Sequence, residues 1–244
     1  MVDIHCHILP QVDDGSKSWE ITLEMCRVAA ADGIDHIVAT PHANERYTYE
    51  RAALSATLDE LASRVKAPSF SLGCDFHFSY ENLQSALHEP QNFAIGHTCY
   101  MLVELSNWSV PPQVKDQFLH LSEAGIVPVL THPERNPILQ KDPVRVLEFV
   151  EMGALVQITA SSFTGEWGQT ALNTACWLLN HDAVHVLATD AHDDSRRPPL
   201  LSPGAEEAAK ICGDEIAHAL VEENPRAIIS GKSLPFFPRP VHRR

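Results

Sequence analysis

Six cysteines are scattered along this 244-residue chain, and no two of them form a C-x-x-C pair. That excludes a zinc knuckle and a dithiol redox motif, and points to a reduced, cytoplasmic setting rather than a disulfide framework. Basic residues are scarce as well: 18 Lys and Arg against 32 Asp and Glu give a formal charge of −14. A nucleic-acid backbone needs clustered Lys and Arg, so that class of partner is excluded. No apolar run approaches the length of a membrane span. The first residues already read as a strand, which leaves no room for a signal peptide. Repeats, low-complexity runs and linkers are missing too, so residues 1–244 are expected to form one domain that does not insert in a membrane.

Histidine, by contrast, is plentiful, with 14 in the chain. In Asp3-Ile4-His5-Cys6-His7-Ile8, apolar and polar residues alternate with the period of a strand. His5 and His7 then share one face, two strand rises apart. Two imidazoles on one face grip a cation, and a carboxylate from Val12-Asp13-Asp14-Gly15 can join them. Two strand histidines hydrogen-bonded in a polar core would look the same, so the rest of the chain has to decide.

Strand-like segments are expected at 34–40, 69–78, 100–105, 126–130, 154–159 and 184–188, after the first at 2–8. Helical patterns lie between nearly all of them, beginning with 16–31, where Ser16 or Ser18 can cap the start. Repeated βα units indicate a parallel sheet, and seven of them can fan out or close. The polar residues choose. His5 and His7, His42, Asp75, Glu104, His132 and the Asp190/His192 pair all fall at or just beyond strand C-termini. A closed barrel gathers those ends at a common mouth, whereas an open sheet spreads them along an edge. The expectation is a distorted (β/α)7, TIM-like barrel.

The motifs D-I-H-C-H-I-L-P-x-V-D-D-G, T-P-H, H-P-E-R-N and T-D-A-H together resemble those of the PHP (polymerase and histidinol phosphatase) superfamily. The fuller first motif and H-P-E-R resemble the bacterial metal-dependent protein-tyrosine phosphatases of capsular and exopolysaccharide systems. The resemblance implies a trinuclear site in a (β/α)7 barrel, usually with manganese, iron and zinc being alternatives. Carried over by motif, His5 and His7 bind the first ion with Asp190. Asp14, His42 and His192 bind a second, and Glu104 and His132 a third. Asp75 would bridge the first and third ions where members usually carry Glu. Four carboxylates at one mouth repel one another without cations, so three ions with Asp75 still bridging are expected.

Clustered divalent ions acidify a bound water and clamp attacking and leaving oxygens, which suits a phosphatase. Arg135, beyond His132, is placed to bind phosphate in a bidentate way. Arg197, next to Pro198, is a second clamp that the resemblance favours. His77, Asp13 and Glu134 are expected to stand behind the ligands or at the surface. A cysteine-based phosphatase needs an Arg six positions after its nucleophile, and none of the six cysteines has one. The expected activity is hydrolysis of phosphotyrosine on a membrane-linked bacterial tyrosine kinase that controls polysaccharide export. The alternatives are a small-molecule phosphoesterase acting on substrates like histidinol phosphate and a metal-binding but inactive kinase regulator.

Overall fold

The computed structural model describes residues 1–240. Its strands are β1 (Val2–Cys6), β2 (His36–Ala39), β3 (His42–Ala43), β4 (Ser69–Leu72), β5 (Asp75–His77), β6 (Tyr100–Glu104), β7 (Val127–Thr131), β8 (Leu155–Thr159) and β9 (Val186–Ala188). All pair in parallel, as β1-β2-β4 and as β3-β5-β6-β7-β8-β9.

The segment expected as one strand at 69–78 is split into β4 and β5, and a short extra strand, β3, follows the strand expected at 34–40. β2 and β3 are separated at Pro41, which has no N–H to give to a ladder. β4 and β5 are separated at Gly73, where an added Cβ would lie 2.9 Å from a Val38 methyl. The chain stays paired across both gaps, with Gly73 N–H donating to Ala39 O (2.8 Å) and Asp75 N–H to Pro41 O (3.1 Å). The ends of the run also meet. Asp190 N–H donates to His5 O at 2.8 Å, His7 N–H donates to Ala191 O at 2.9 Å, and Cys6 bridges to Ala191. The result is a distorted parallel barrel whose seam runs through the residues of interest.

One apolar cluster draws on strands right round the ring (Ile4, Val38, Leu102, Val129, Leu155, Val186), so it fills the interior. Two larger clusters lie where helices pack on the outside of the strands. The first helix, Trp19–Ala31, is capped by Ser18, whose Oγ accepts from Ile21 N–H. Ser16, the other candidate, instead donates to Ser18 O and accepts from Thr22. No helix among the described residues is long and apolar enough to cross a membrane.

Candidate metal centre

His5 lies near the end of β1, within the Asp3–Cys6 stretch where the pairing with β2 shifts register, His7 follows just past the strand, and the next loop folds back over them. Gly15 makes that return possible, since a Cβ there would sit 2.2 Å from His7 O. The same turn brings Asp13 Oδ2 to 2.7 Å from His7 Nδ1. His5 Nδ1 meets Gln157 Oε1 at 2.9 Å, and His192 Nδ1 meets Asp190 O at 3.0 Å. All three partners can only accept, so each Nδ1 carries the proton and each Nε2 presents a lone pair. The Nε2 atoms of His5 and His7 stand 3.3 Å apart. Two lone pairs held that close call for a shared cation.

The carboxylates make the same point. Asp75 is fully buried, and neither of its oxygens has a hydrogen-bond partner among the described residues. Its Oδ2 nevertheless lies 3.5 Å from His5 Nε2 and 3.1 Å from His42 Nδ1. Such atoms converge on a point rather than bonding to each other. Burial raises the pKa values of Asp75 and Asp190, but His5 and His42 around Asp75, and Arg135 and His5 around Asp190, hold both well below the usual carboxylate range. Burial lowers His42, yet Asp14 and Asp75 outweigh it and bring the imidazole up to about 11. Buried carboxylates that stay ionised demand positive charge, and these donors (imidazole nitrogen and carboxylate oxygen without thiolate) suit a hard or borderline divalent ion.

Three groups of donors satisfy ligand spacing: His7, Asp14, His42 and His192; His5, His7 and Asp75; and His42, Asp75 and Glu104. Asp75 belongs to two of them. Asp190 stands beside the His5/His7 pair, with Oδ1 at 3.4 Å from both Nε2 atoms. His132 is set slightly apart, with Nε2 4.0 Å from Glu104 Oε1. Burial and Arg135 push His132 down to about 3, which keeps its ring neutral. His132 and Asp190 both adopt left-handed backbone, with φ of 34° and 50°. That conformation costs a non-glycine residue on the order of 1 kcal/mol or more and is characteristic of functional positions.

Both arginines reach the same carboxylate. Arg135 donates to Asp190 Oδ2, and Arg197 donates to Oδ2 at 2.7 Å and to the Asp190 carbonyl at 2.8 Å. The Trp167 ring lies beneath them, its centroid 3.6 Å from the Arg135 guanidinium carbon and 5.0 Å from that of Arg197. A flat aromatic face stabilises two adjacent cations.

Residues 1–230 match the family described as capsular polysaccharide synthesis, CpsB/CapC. The chain belongs to that family. It is 32% identical to the tyrosine-protein phosphatase YwqE of Bacillus subtilis over 249 residues, covering 100% of this chain and 98% of the relative. It is 31% identical to the putative tyrosine-protein phosphatase CapC of Staphylococcus aureus, covering 95% and 90%. One chain from the crystal structures of YwqE and of CpsB from Streptococcus pneumoniae, described as unique metal-dependent tyrosine phosphatases, matches it with a TM-score of 0.92, 32% identity and 100% coverage of both chains.

Several members of this CpsB/CapC site were not singled out from sequence. Gln157 orients His5, and as a lone amide in the apolar strand β8 it was visible as an anomaly. Asp3 accepts from Thr189 N–H (3.0 Å) and from the Thr189 hydroxyl, supporting the turn that carries Asp190. Trp167 had no local signal. Of the residues expected behind the ligands, Asp13 orients His7, and His77 Nδ1 is 3.5 Å from Glu104 Oε2. Glu134 is fully buried, its Oε1 accepting from Thr159 N–H and the Ser162 hydroxyl. Burial raises its pKa to about 7.

Proposed function

We propose that this chain is a metal-dependent phosphatase that hydrolyses phosphotyrosine on a protein, acting in the cytoplasm on a membrane-linked bacterial tyrosine kinase that controls capsular or exopolysaccharide synthesis. One residue carries the reading. Asp190 turns Oδ1 toward His5 and His7 while its Oδ2 accepts from Arg135 and Arg197. Metal donors and phosphate-binding guanidiniums therefore meet at a single carboxylate. The named activities of YwqE and CapC support the same reaction.

Three divalent ions, manganese first, would be held here. His5, His7 and Asp190 would hold one, Asp14, His42 and His192 a second, and Glu104 and His132 a third, with Asp75 between the first and third. The 4.0 Å from His132 Nε2 to Glu104 Oε1 fits one ion, because two donors about 2.1 Å from a common centre stand at most about 4.2 Å apart. Bound there, divalent ions acidify a water and neutralise phosphoryl charge.

The chain's own residues do the rest. Asp13, Gln157 and the Asp190 carbonyl each pin an imidazole tautomer, so three Nε2 lone pairs point at the cluster without reorganising. Arg135 and Arg197 offer planar N–H pairs to the phosphoryl oxygens, exchanging Asp190 for substrate. Trp167 keeps both guanidiniums in register beside the donors.

An assay of phosphotyrosyl peptide against histidinol phosphate, with and without manganese, tests this. Manganese-dependent release of phosphate from the peptide is expected. Preference for histidinol phosphate would make the chain a small-molecule phosphoesterase, and metal binding without turnover of either would make it an inactive regulator.

A further inference from the structure

His5, His7, Asp75 and Asp190 are buried, but Asp14, His42 and Glu104 line one wall of a groove of about 530 Å3. Its other walls are the 44–47 turn and the 105–108 loop. Both are fixed. Asn44 Oδ1 accepts from the N–H groups of Arg46 (2.9 Å) and Tyr47 (3.0 Å). Opposite, Asn136 Nδ2 donates to the carbonyls of Leu105 (3.4 Å) and Ser106 (3.1 Å), Ser106 Oγ accepts from Trp108 N–H (3.2 Å), and Arg145 donates to Val110 O.

On this pinned backbone the Trp108 side chain is 92% exposed. A large indole in water on a fixed backbone at the rim of a polar site is the kind of aromatic anchor that binding hot spots use. Across the groove Tyr47 lies nearly parallel to the His42 ring (6.0 Å, 13°), and the Arg46 guanidinium lies 5.1 Å from the Tyr47 ring centroid. Arg46 is the one Lys or Arg in the groove's lining, beside Glu45 on the same turn and with Asp14 and Glu104 on the donor wall.

We propose that this groove receives an extended polypeptide segment carrying the phosphotyrosine, with Trp108 packing on residues that flank it and Arg46 facing an acidic flanking side chain. The inference rests on the phosphotyrosine phosphatase reading above and adds where the protein substrate is gripped. Phosphate and aromatic ring reach the donors past Tyr47, whereas Trp108 at the rim meets the polypeptide beyond them. Specificity for a protein over a small ester therefore resides in the 105–108 loop.

The test compares kcat/KM for an acidic phosphotyrosyl peptide with that for 4-nitrophenyl phosphate in wild type, Trp108→Ala and Trp108→Phe, using metal-loaded full-length protein. For Trp108→Ala the peptide-to-small-ester ratio is expected to fall about tenfold, through peptide KM rather than kcat, and Trp108→Phe is expected to recover most of it. A fall of less than threefold overturns the proposal. So does a Trp108→Ala variant whose oligomeric state changes while its peptide KM does not, because Trp108 then serves contact between copies of the chain. If wild type fails to hydrolyse the peptide at all, the phosphatase reading fails and this inference falls with it.

Discussion

His7 Nδ1 lies 2.7 Å from Asp13 Oδ2, and that bond decides which nitrogen of His7 faces the donor cluster. Burial opposes protonation of His7, yet Asp13 and Asp190 raise it to about 9, so a cation that binds Nε2 displaces a proton from it. Removing Asp13 frees the ring to rotate or change tautomer. Asp13→Ala is expected to weaken manganese binding about 10- to 100-fold, measured by calorimetric titration. Asp13→Asn keeps an acceptor and loses less.

Activity is expected to depend on divalent metal and to resist thiol alkylation. Cys6, Cys26 and Cys74 are buried, and burial raises their thiols, Cys26 to about 12. Iodoacetamide should leave turnover intact where EDTA abolishes it. The opposite pattern would sink the metal mechanism.

Arg135→Ala is expected to lose about 30- to 1000-fold in rate, equivalent to about 2–4 kcal/mol for a charge-assisted contact that tightens in the transition state. The fold and metal content should survive, because Arg197 still covers Asp190 Oδ2 at 2.7 Å. Retention of more than half the wild-type turnover would move the clamp to Arg197.

An anomalous-scattering map of manganese-grown crystals is expected to show three peaks, with Asp75 in contact with two. Asp is about 1.5 Å shorter than the usual Glu, and Asp75 nonetheless lies 3.1 Å from His42 Nδ1 and 3.5 Å from His5 Nε2. Two peaks alone, or an Asp75 beyond reach of both neighbours, would overturn this assignment.

Stability should depend on pH through His185, which burial pushes down to about 3. The unfolded chain takes up this proton below about pH 6.5, while the folded chain holds the ring neutral. The contribution is therefore complete above pH 6.5 and is lost as pH falls toward 3. Between pH 7 and pH 5, wild type is expected to lose about 2 kcal/mol relative to His185→Asn, read from urea midpoints. An equal pH response in the two proteins would count against it.

The convergence of the candidate donors was legible in the sequence because they fall at or just beyond strand ends. His5 and His7 stand two apart where the first strand ends, and Asp190 and His192 repeat that spacing beyond the last. What holds those ligands was far less legible. Gln157 acts on a histidine 152 positions away, and Trp167 matters through two arginines brought to it by separate turns. The breaks at Pro41 and Gly73 were readable in principle, since one lacks a donor and the other a side chain. Asn136 was seen as part of H-P-E-R-N, but its grip on Leu105 and Ser106 exists only once two loops have met.

The seam of the barrel also has a consequence for biosynthesis. Cys6 and Ala191, which pair across it, are 185 residues apart. At about 5–20 residues per second, synthesis separates the emergence of the two sides by about 10 to 40 s. During that interval His5 and His7 lack the carboxylate and imidazole that complete their site, so an early ion finds an incomplete set of ligands. With the ligands proposed above, metal acquisition would be a late event in the life of the nascent chain, and the ions would act as a clasp between its first strand and its last.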